Sequence, residues 1–259
     1  NYKGILYYIY LMILHLNQRE FINTLKPIDL SIELTANNNS LKAWGQENPE
    51  IEPVRDGNFV GSVAEGGVVN FKNIFFNPHA HLTHTECCGH ITEDFHSVND
   101  GLKNFFFNAQ LLTFTPVDQN EESIITLDQV KSLDIDPDVD AIVIRTLPNT
   151  DAKRTFNYTG SNPPFIHVDV AHYFIEIGVN HILVDLPSVD KEQDGGALAF
   201  HHAFWNVPEN PNTIRTITEF IFVPKEVEDG LYILELQMSS FKNDACPSRP
   251  VLYNRQKIK

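Results

Sequence analysis

Apolar and polar positions along the chain predict seven strands, over residues 27–34, 68–76, 109–116, 140–147, 181–186, 216–223 and 231–237. The first alternates apolar with polar, the period of a half-buried strand. The run Ala141-Ile-Val-Ile144 has no polar break, as in a strand buried on both faces. Two helices are marked by their ends. Thr126, with Gln129 three positions on, is a capping-box signature for a helix over 126–133. The segment 168–177 stops at Gly178, a residue suited to the turn past a helix end. Strand, helix and strand across 140–186 make a βαβ-type unit, so part of the sheet is expected to be parallel. The turn residues Glu228-Asp-Gly230 are read as joining the last two strands.

Between these elements lie polar stretches. Residues 35–55, with Asn37-Asn-Asn-Ser40 and two prolines, read as a loop that borders a pocket, and 148–164 as a second long loop. The most apolar run, 5–14, is shorter than the roughly 20 residues a bilayer-spanning helix needs, and no small-residue cleavage site follows it. Residues 1–26 are therefore expected to be an N-terminal extension or helix, followed by a single domain over 27–259. The formal net charge of −15 argues against a nucleic-acid backbone or an anionic membrane as partner. Cys87, Cys88 and Cys246 are too few, and too oddly spaced, for a disulfide framework, which points to a reducing, cytoplasmic setting.

Five of the eleven histidines fall between positions 79 and 96: His79, His81, His84, His90 and His96, grouped around Glu86. Imidazole and carboxylate are the usual ligands of zinc and other borderline divalent ions. In an extended strand His84, Glu86 and His90 share one face, whereas His79 and His81 reach it only through a bulge or turn. Pro78, Thr83, Thr85 and Gly89 argue against a helix, and the His-Glu-x-x-His metalloprotease motif is absent. The strand over 68–76 runs straight into this stretch, so the ligands are expected at the end of a buried, rigid element. Cys87 and Cys88 face opposite ways in a strand and read better as small hydrophobes than as thiolate ligands. A second imidazole pair, His201 and His202, lies downstream, and Glu219 sits among Ile217, Phe220, Ile221 and Phe222. A carboxylate buried in so apolar a strand requires a partner.

These segments resemble the cyclase family of metal-dependent hydrolases, which includes bacterial kynurenine formamidase. Thr83-His84-Thr85-Glu86 and His90 stand for that family's Thr-His-x-Asp and its following His. Asp185-Leu-Pro-Ser-Val-Asp190 resembles its Asp-x-Pro-Ser-Val-Asp segment, His201-His-Ala its His-x-Ala helix start, and Glu219 the Glu of its Ile-x-Glu strand. The resemblance spans about 27–238. It implies an α/β fold of three-layer β/β/α swivelling-domain type with a mixed sheet. It also implies one or two divalent ions, zinc first and manganese as the alternative. His79, His84 and Glu86 would hold one ion. Glu86 and Glu219 would bridge to a second, with His201 on it, and His90 would transfer protons. His81 is the fallback for His79, and His202 the alternative to His201. Relatives are commonly homodimers.

The implied reaction is hydrolysis of a carbon–nitrogen amide bond in a small aryl-formamide or cyclic amide. Phe75, Phe76, Phe105, Phe106, Phe107 and Trp205 are candidate walls for such a substrate. The rival is a metal-binding module of the same fold that performs no hydrolysis. Its support is Glu86 in place of Asp, Leu82 in place of Gly, and a first histidine displaced by one residue.

Overall fold

Eight strands carry the fold in the computed structural model, which describes residues 12–37 and 39–258. They are β1 (Ile28–Asp29), β2 (His84–Glu86), β3 (Phe106–Phe114), β4 (Ala141–Thr146), β5 (His181–Val184), β6 (Thr216–Glu219), β7 (Gly230–Met238) and β8 (Ala245–Asn254). Their order is β7-β3-β4-β5-β6-β2-β8-β1, and β8 also pairs with β7. The sheet thus closes into a barrel, with β1 an added edge on β8. The steps from β3 through β4 and β5 to β6 are parallel and the others antiparallel, so the expected mixed sheet is present.

The two faces of the parallel strands pack against different partners. Ala109, Leu111, Ala141, Val143 and Leu183 point inward to Leu234, Leu236 and Leu252 of the antiparallel strands. Ile142, Ile144, Ile182 and Val184 point outward under the helices Val168–Glu176 and Ala199–Trp205, where they meet Val170, Phe174, Phe200, Phe204 and Trp205. Burial on both faces is why β4 and β5 read as unbroken apolar runs. Each fully buried large side chain here contributes about 1.5–3 kcal/mol by leaving water. The capping box forms as expected: Thr126 Oγ1 accepts from the Gln129 N–H at 3.3 Å, and the Thr126 N–H donates to Gln129 Oε1 at 3.0 Å.

Several expectations are corrected. Only Ile28–Asp29 of the first strand pairs with the sheet. Lys72–Phe75 is a strand, but it is exposed, pairing only with Glu50–Pro53 in a two-stranded ribbon, so no buried strand leads into the histidines. β6 and β7, consecutive in the chain as expected, pair with different strands, β6 with β5 and β2, and β7 with β3 and β8. At the N-terminus, Ile13–His15 is a strand paired to Glu20–Asn23, which in turn pairs with Gln256–Lys257. Of the N-terminal extension or helix expected over 1–26, the described residues 12–26 form these strands and their turns, and residues 1–11 lie outside the described residues. Among the described residues no helix is long and apolar enough to cross a membrane.

Candidate metal centre

Register brings the two halves of the chain together. In the antiparallel pair of β6 with β2, Glu219 lies opposite His84 and Ile217 opposite Glu86. Ile217 packs outward beneath the helices, so Glu86, His84 and Glu219 share that outer face, which Ala199–Trp205 covers. His201 on this helix reaches Glu86 Oε1 with Nε2 at 3.0 Å and lies 3.9 Å from Glu219 Oε1. Left-handed backbone at Phe220 (φ +56°) directly follows Glu219, and Leu198 (φ +41°) precedes the His201 helix. Non-glycine residues held this way carry strain and cluster at functional sites.

The histidine stretch is not one strand. Pro78–His81 is a short helix with Asn77 as its N-cap, His84–Glu86 is β2, and Cys88–His90 is a 3-10 turn. Pro78, counted above against a helix, occupies its first position, where a missing N–H costs nothing. The residues before His84 thus form a helical turn and not a bulged strand. The turn aims His79 at the cluster, with Nδ1 3.0 Å from Glu86 Oε2. His81 turns away: its Nδ1 accepts from the Asn77 N–H at 2.9 Å and its Nε2 lies 2.8 Å from the Glu47 carbonyl. His202 also points elsewhere, with Nδ1 3.0 Å from the Val207 carbonyl. His90 stands at the rim, its Nδ1 4.0 Å from Glu86 Oε2. The thiols stay out of the cluster, Cys88 in the main core and Cys87 beside Val98 and Cys246. Trp205 is fully buried behind the His201 ring, centroids 5.1 Å apart, and Phe107 packs on His181 with ring centroids 4.1 Å apart, so neither offers an open wall to a substrate.

The polarity of the rings tests whether a cation fits. His84 Nδ1 is held by the Leu82 carbonyl at 3.1 Å, His201 Nδ1 by Asp190 Oδ2 at 2.6 Å, and His79 Nε2 by Asp244 Oδ2 at 2.8 Å. In its neutral form each ring donates outward and turns its bare nitrogen on Glu86 or Glu219. Lone pairs facing carboxylate oxygens require a positive charge between them. His84 Nε2 and Glu86 Oε2 are buried without a hydrogen-bond partner, His79 Nδ1 lying off-angle to the latter. Without a metal the charge is supplied by protons. Burial pulls the His79 and His201 pKa values down, but the carboxylates beside them, Asp244 and Glu86 for His79 and Asp190 and Glu86 for His201, outweigh it and raise both to about 10. Burial likewise pushes Glu86 up, and the electrostatic pull of His90, with that of His201 and His79, outweighs it and holds the carboxyl well below its usual range. A divalent ion satisfies the same demand, and among the described residues ligand atoms of His79, His84 and Glu86, of Glu86, His90 and His201, and of His79, His90 and Asp244 lie close enough to share one.

A sequence model of the family described as putative cyclase matches residues 28–191. The chain belongs to the putative cyclase family. Among relatives, a kynurenine formamidase of Bacillus anthracis is 26% identical over 234 residues, covering 89% of this chain and 99% of that protein. The fold is shared with a predicted metal-dependent hydrolase from Bacillus stearothermophilus, with TM-score 0.61 and 18% identity over 88% of this chain and 98% of that one. It is also shared with isatin hydrolase A from Labrenzia aggregata bound to benzyl benzoate, with TM-score 0.64 and 12% identity over 88% and 93%.

Two carboxylates of this cyclase-family site had no role assigned from sequence. Asp190 closes the quoted Asp-x-Pro-Ser-Val-Asp segment, so its signal was present. It accepts from the Phe200 and His201 backbone N–H groups, at 2.8 and 3.1 Å, as well as from the His201 ring. Asp185, at the other end of that segment, is buried against Thr146 and Lys153 and serves the core. Asp244 lies beyond the recognisable span and had no local signal.

Proposed function

We propose that the chain is a metal-dependent hydrolase that cleaves a carbon–nitrogen amide bond of a small aryl-formamide or cyclic amide. Residues 27–259 serve as one hydrolase domain. The observation that carries this reading is the convergence of three outward-anchored imidazoles on two buried carboxylates. His79, His84 and Glu86 would hold one ion. Glu219 and His201, sharing Glu86, would hold a second, with zinc favoured and manganese the alternative. When bound, such an ion acidifies a water and polarises the carbonyl under attack. His90, partly open to solvent beside the cluster, takes the proton and passes it to the leaving nitrogen. The formamidase and isatin hydrolase relatives support the choice of bond, since a formamide and isatin both present an amide carbon–nitrogen bond.

Three further readings go with it. Helices, parallel strands and antiparallel strands of the barrel, each packed on the next, support the β/β/α layering. Three free cysteines support a cytoplasmic setting. Exposed Ile74 and Phe75 on the ribbon, with exposed Val68 and Phe71 just before it, support a homodimer, which sedimentation would reveal and a purely monomeric species would refute.

The test is metal analysis of wild type, Glu86→Ala and Glu219→Ala, with a hydrolysis screen over aryl-formamides and cyclic amides. Wild type is expected to carry metal and hydrolyse an amide, and both variants to lose metal. Full metal retention in both variants sinks the site. A metal-loaded wild type inert across the screen favours the non-hydrolytic module.

A further inference from the structure

His79 meets Glu86 Oε2 while His201 meets Oε1, and the His79 and His90 rings lie one over the other, centroids 4.2 Å apart and planes 29° apart, with the His90 ring 5.7 Å from that of His201. Both aim a nitrogen at one atom, Asp244 Oδ2: His79 Nε2 at 2.8 Å and His90 Nδ1 at 3.5 Å. Asp244 comes from the residue just ahead of β8, and its backbone is pinned to the histidine stretch. The Cys87 N–H donates to the Asp244 carbonyl at 3.1 Å, the Val98 N–H to that of Asn243 at 3.0 Å, and Ala245 lies opposite Glu86. Gly89 permits this approach. A Cβ there would lie 2.2 Å from the His96 carbonyl oxygen and 3.2 Å from the Asp244 Cβ.

We infer that Asp244 is a positioning residue of the metal centre, acting through His79 and His90. The inference rests on the metal-hydrolase reading. Accepting the Nε2–H of His79 fixes that ring's tautomer, so that Nδ1 is the bare nitrogen beside Glu86. The same oxygen lies 3.5 Å from His90 Nδ1 and helps keep that ring stacked on His79, 4.0 Å from Glu86 Oε2. Asp190 does the corresponding work for His201, at the other oxygen of Glu86. The centre is therefore braced by one carboxylate from each flank, and the second comes from a segment outside the part of the chain that matches the family model.

The test is a zinc titration against a chromophoric chelator, with wild type, Asp244→Asn, Asp244→Ala, Asp244→Glu, His79→Ala and the double variant H79A/D244N. Outer carboxylates on ligand histidines are worth about 10–100-fold in metal affinity, and D244N and D244A are each expected to lose that much. D244E, which keeps the carboxylate, should recover part of it. The double variant should bind no more weakly than H79A alone, because the carboxylate acts through the ring already removed. A general structural role would weaken both backgrounds equally. Zinc affinity in D244N and D244A within about two-fold of wild type, or the full loss repeated on top of H79A, would overturn the inference. Either variant alone suffices if the other fails to fold. A wild type that binds no zinc would instead sink the hydrolase reading itself.

Discussion

Asp190→Asn is the sharpest perturbation of the other flank, because it keeps the side chain's size and removes only its charge and one acceptor. The carboxylate receives three donors: the Phe200 N–H, the His201 N–H and the His201 ring Nδ1–H. An amide offers a single oxygen, and its NH2 must oppose at least one of these buried donors. An unsatisfied buried N–H costs about 1–3 kcal/mol, so metal-free D190N should be destabilised by that order in urea unfolding. Metal affinity is set by two opposed effects. Loss of the outer carboxylate costs about 10–100-fold, or about 1.4–2.8 kcal/mol. Asp190 also helps raise the metal-free His201 pKa to about 10, so in wild type a proton must be displaced at neutral pH, and that competition is weaker in D190N. The affinity ratio of wild type to D190N should therefore be near the low end, about 10-fold, at pH 7, and grow as pH rises toward 9. Chelator-competition titrations at both pH values measure it. Wild-type affinity and stability in D190N, or a ratio that shrinks with rising pH, would refute the reasoning.

His79→Ala should weaken metal binding. His81→Ala should leave it and instead cost about 1–3 kcal/mol of stability through the orphaned Asn77 N–H and Glu47 carbonyl; the reverse ranking in zinc titrations would move the ligand to His81. His90→Ala should keep fold and metal while lowering hydrolysis about 10²–10⁴-fold, and loss of metal in that variant would make His90 a ligand. His181, outside the site, is buried with its pKa pushed down to about 4, so it is neutral in the fold while the unfolded chain takes up a proton near 6.5. Stability is thus unaffected above pH 6.5 and lost as pH falls toward 4, by about 2–3 kcal/mol at pH 4.5. Urea unfolding of wild type and His181→Gln at pH 7 and 4.5 reads this difference, and identical pH dependences would rule it out.

What the sequence by itself determined is what short-range chemistry controls. Thr126 and Gln129 cap a helix because the reciprocal bonds need only three residues of spacing. The runs in β4 and β5 are legible because strands buried on both faces leave no polar break, and the βαβ unit between them forces the parallel pairing that is found. The metal-competent residue types were visible for the same reason: imidazole and carboxylate announce their chemistry wherever they stand. Closure of the sheet was not visible, because β2 joins β6 and β8 across more than half the chain and no local pattern encodes such partners. Nor was the exposure of Lys72–Phe75, since an apolar strand reads alike whether a core or only a ribbon partner covers it. Spacing could not choose between His79 and His81, which sit two apart in a turn whose helical geometry sends one ring to Glu86 and the other to Asn77 and Glu47. Asp244 had the least local signal of all. An aspartate 165 residues from His79 becomes its hydrogen-bond partner only because the β8 register pins that backbone against Cys87.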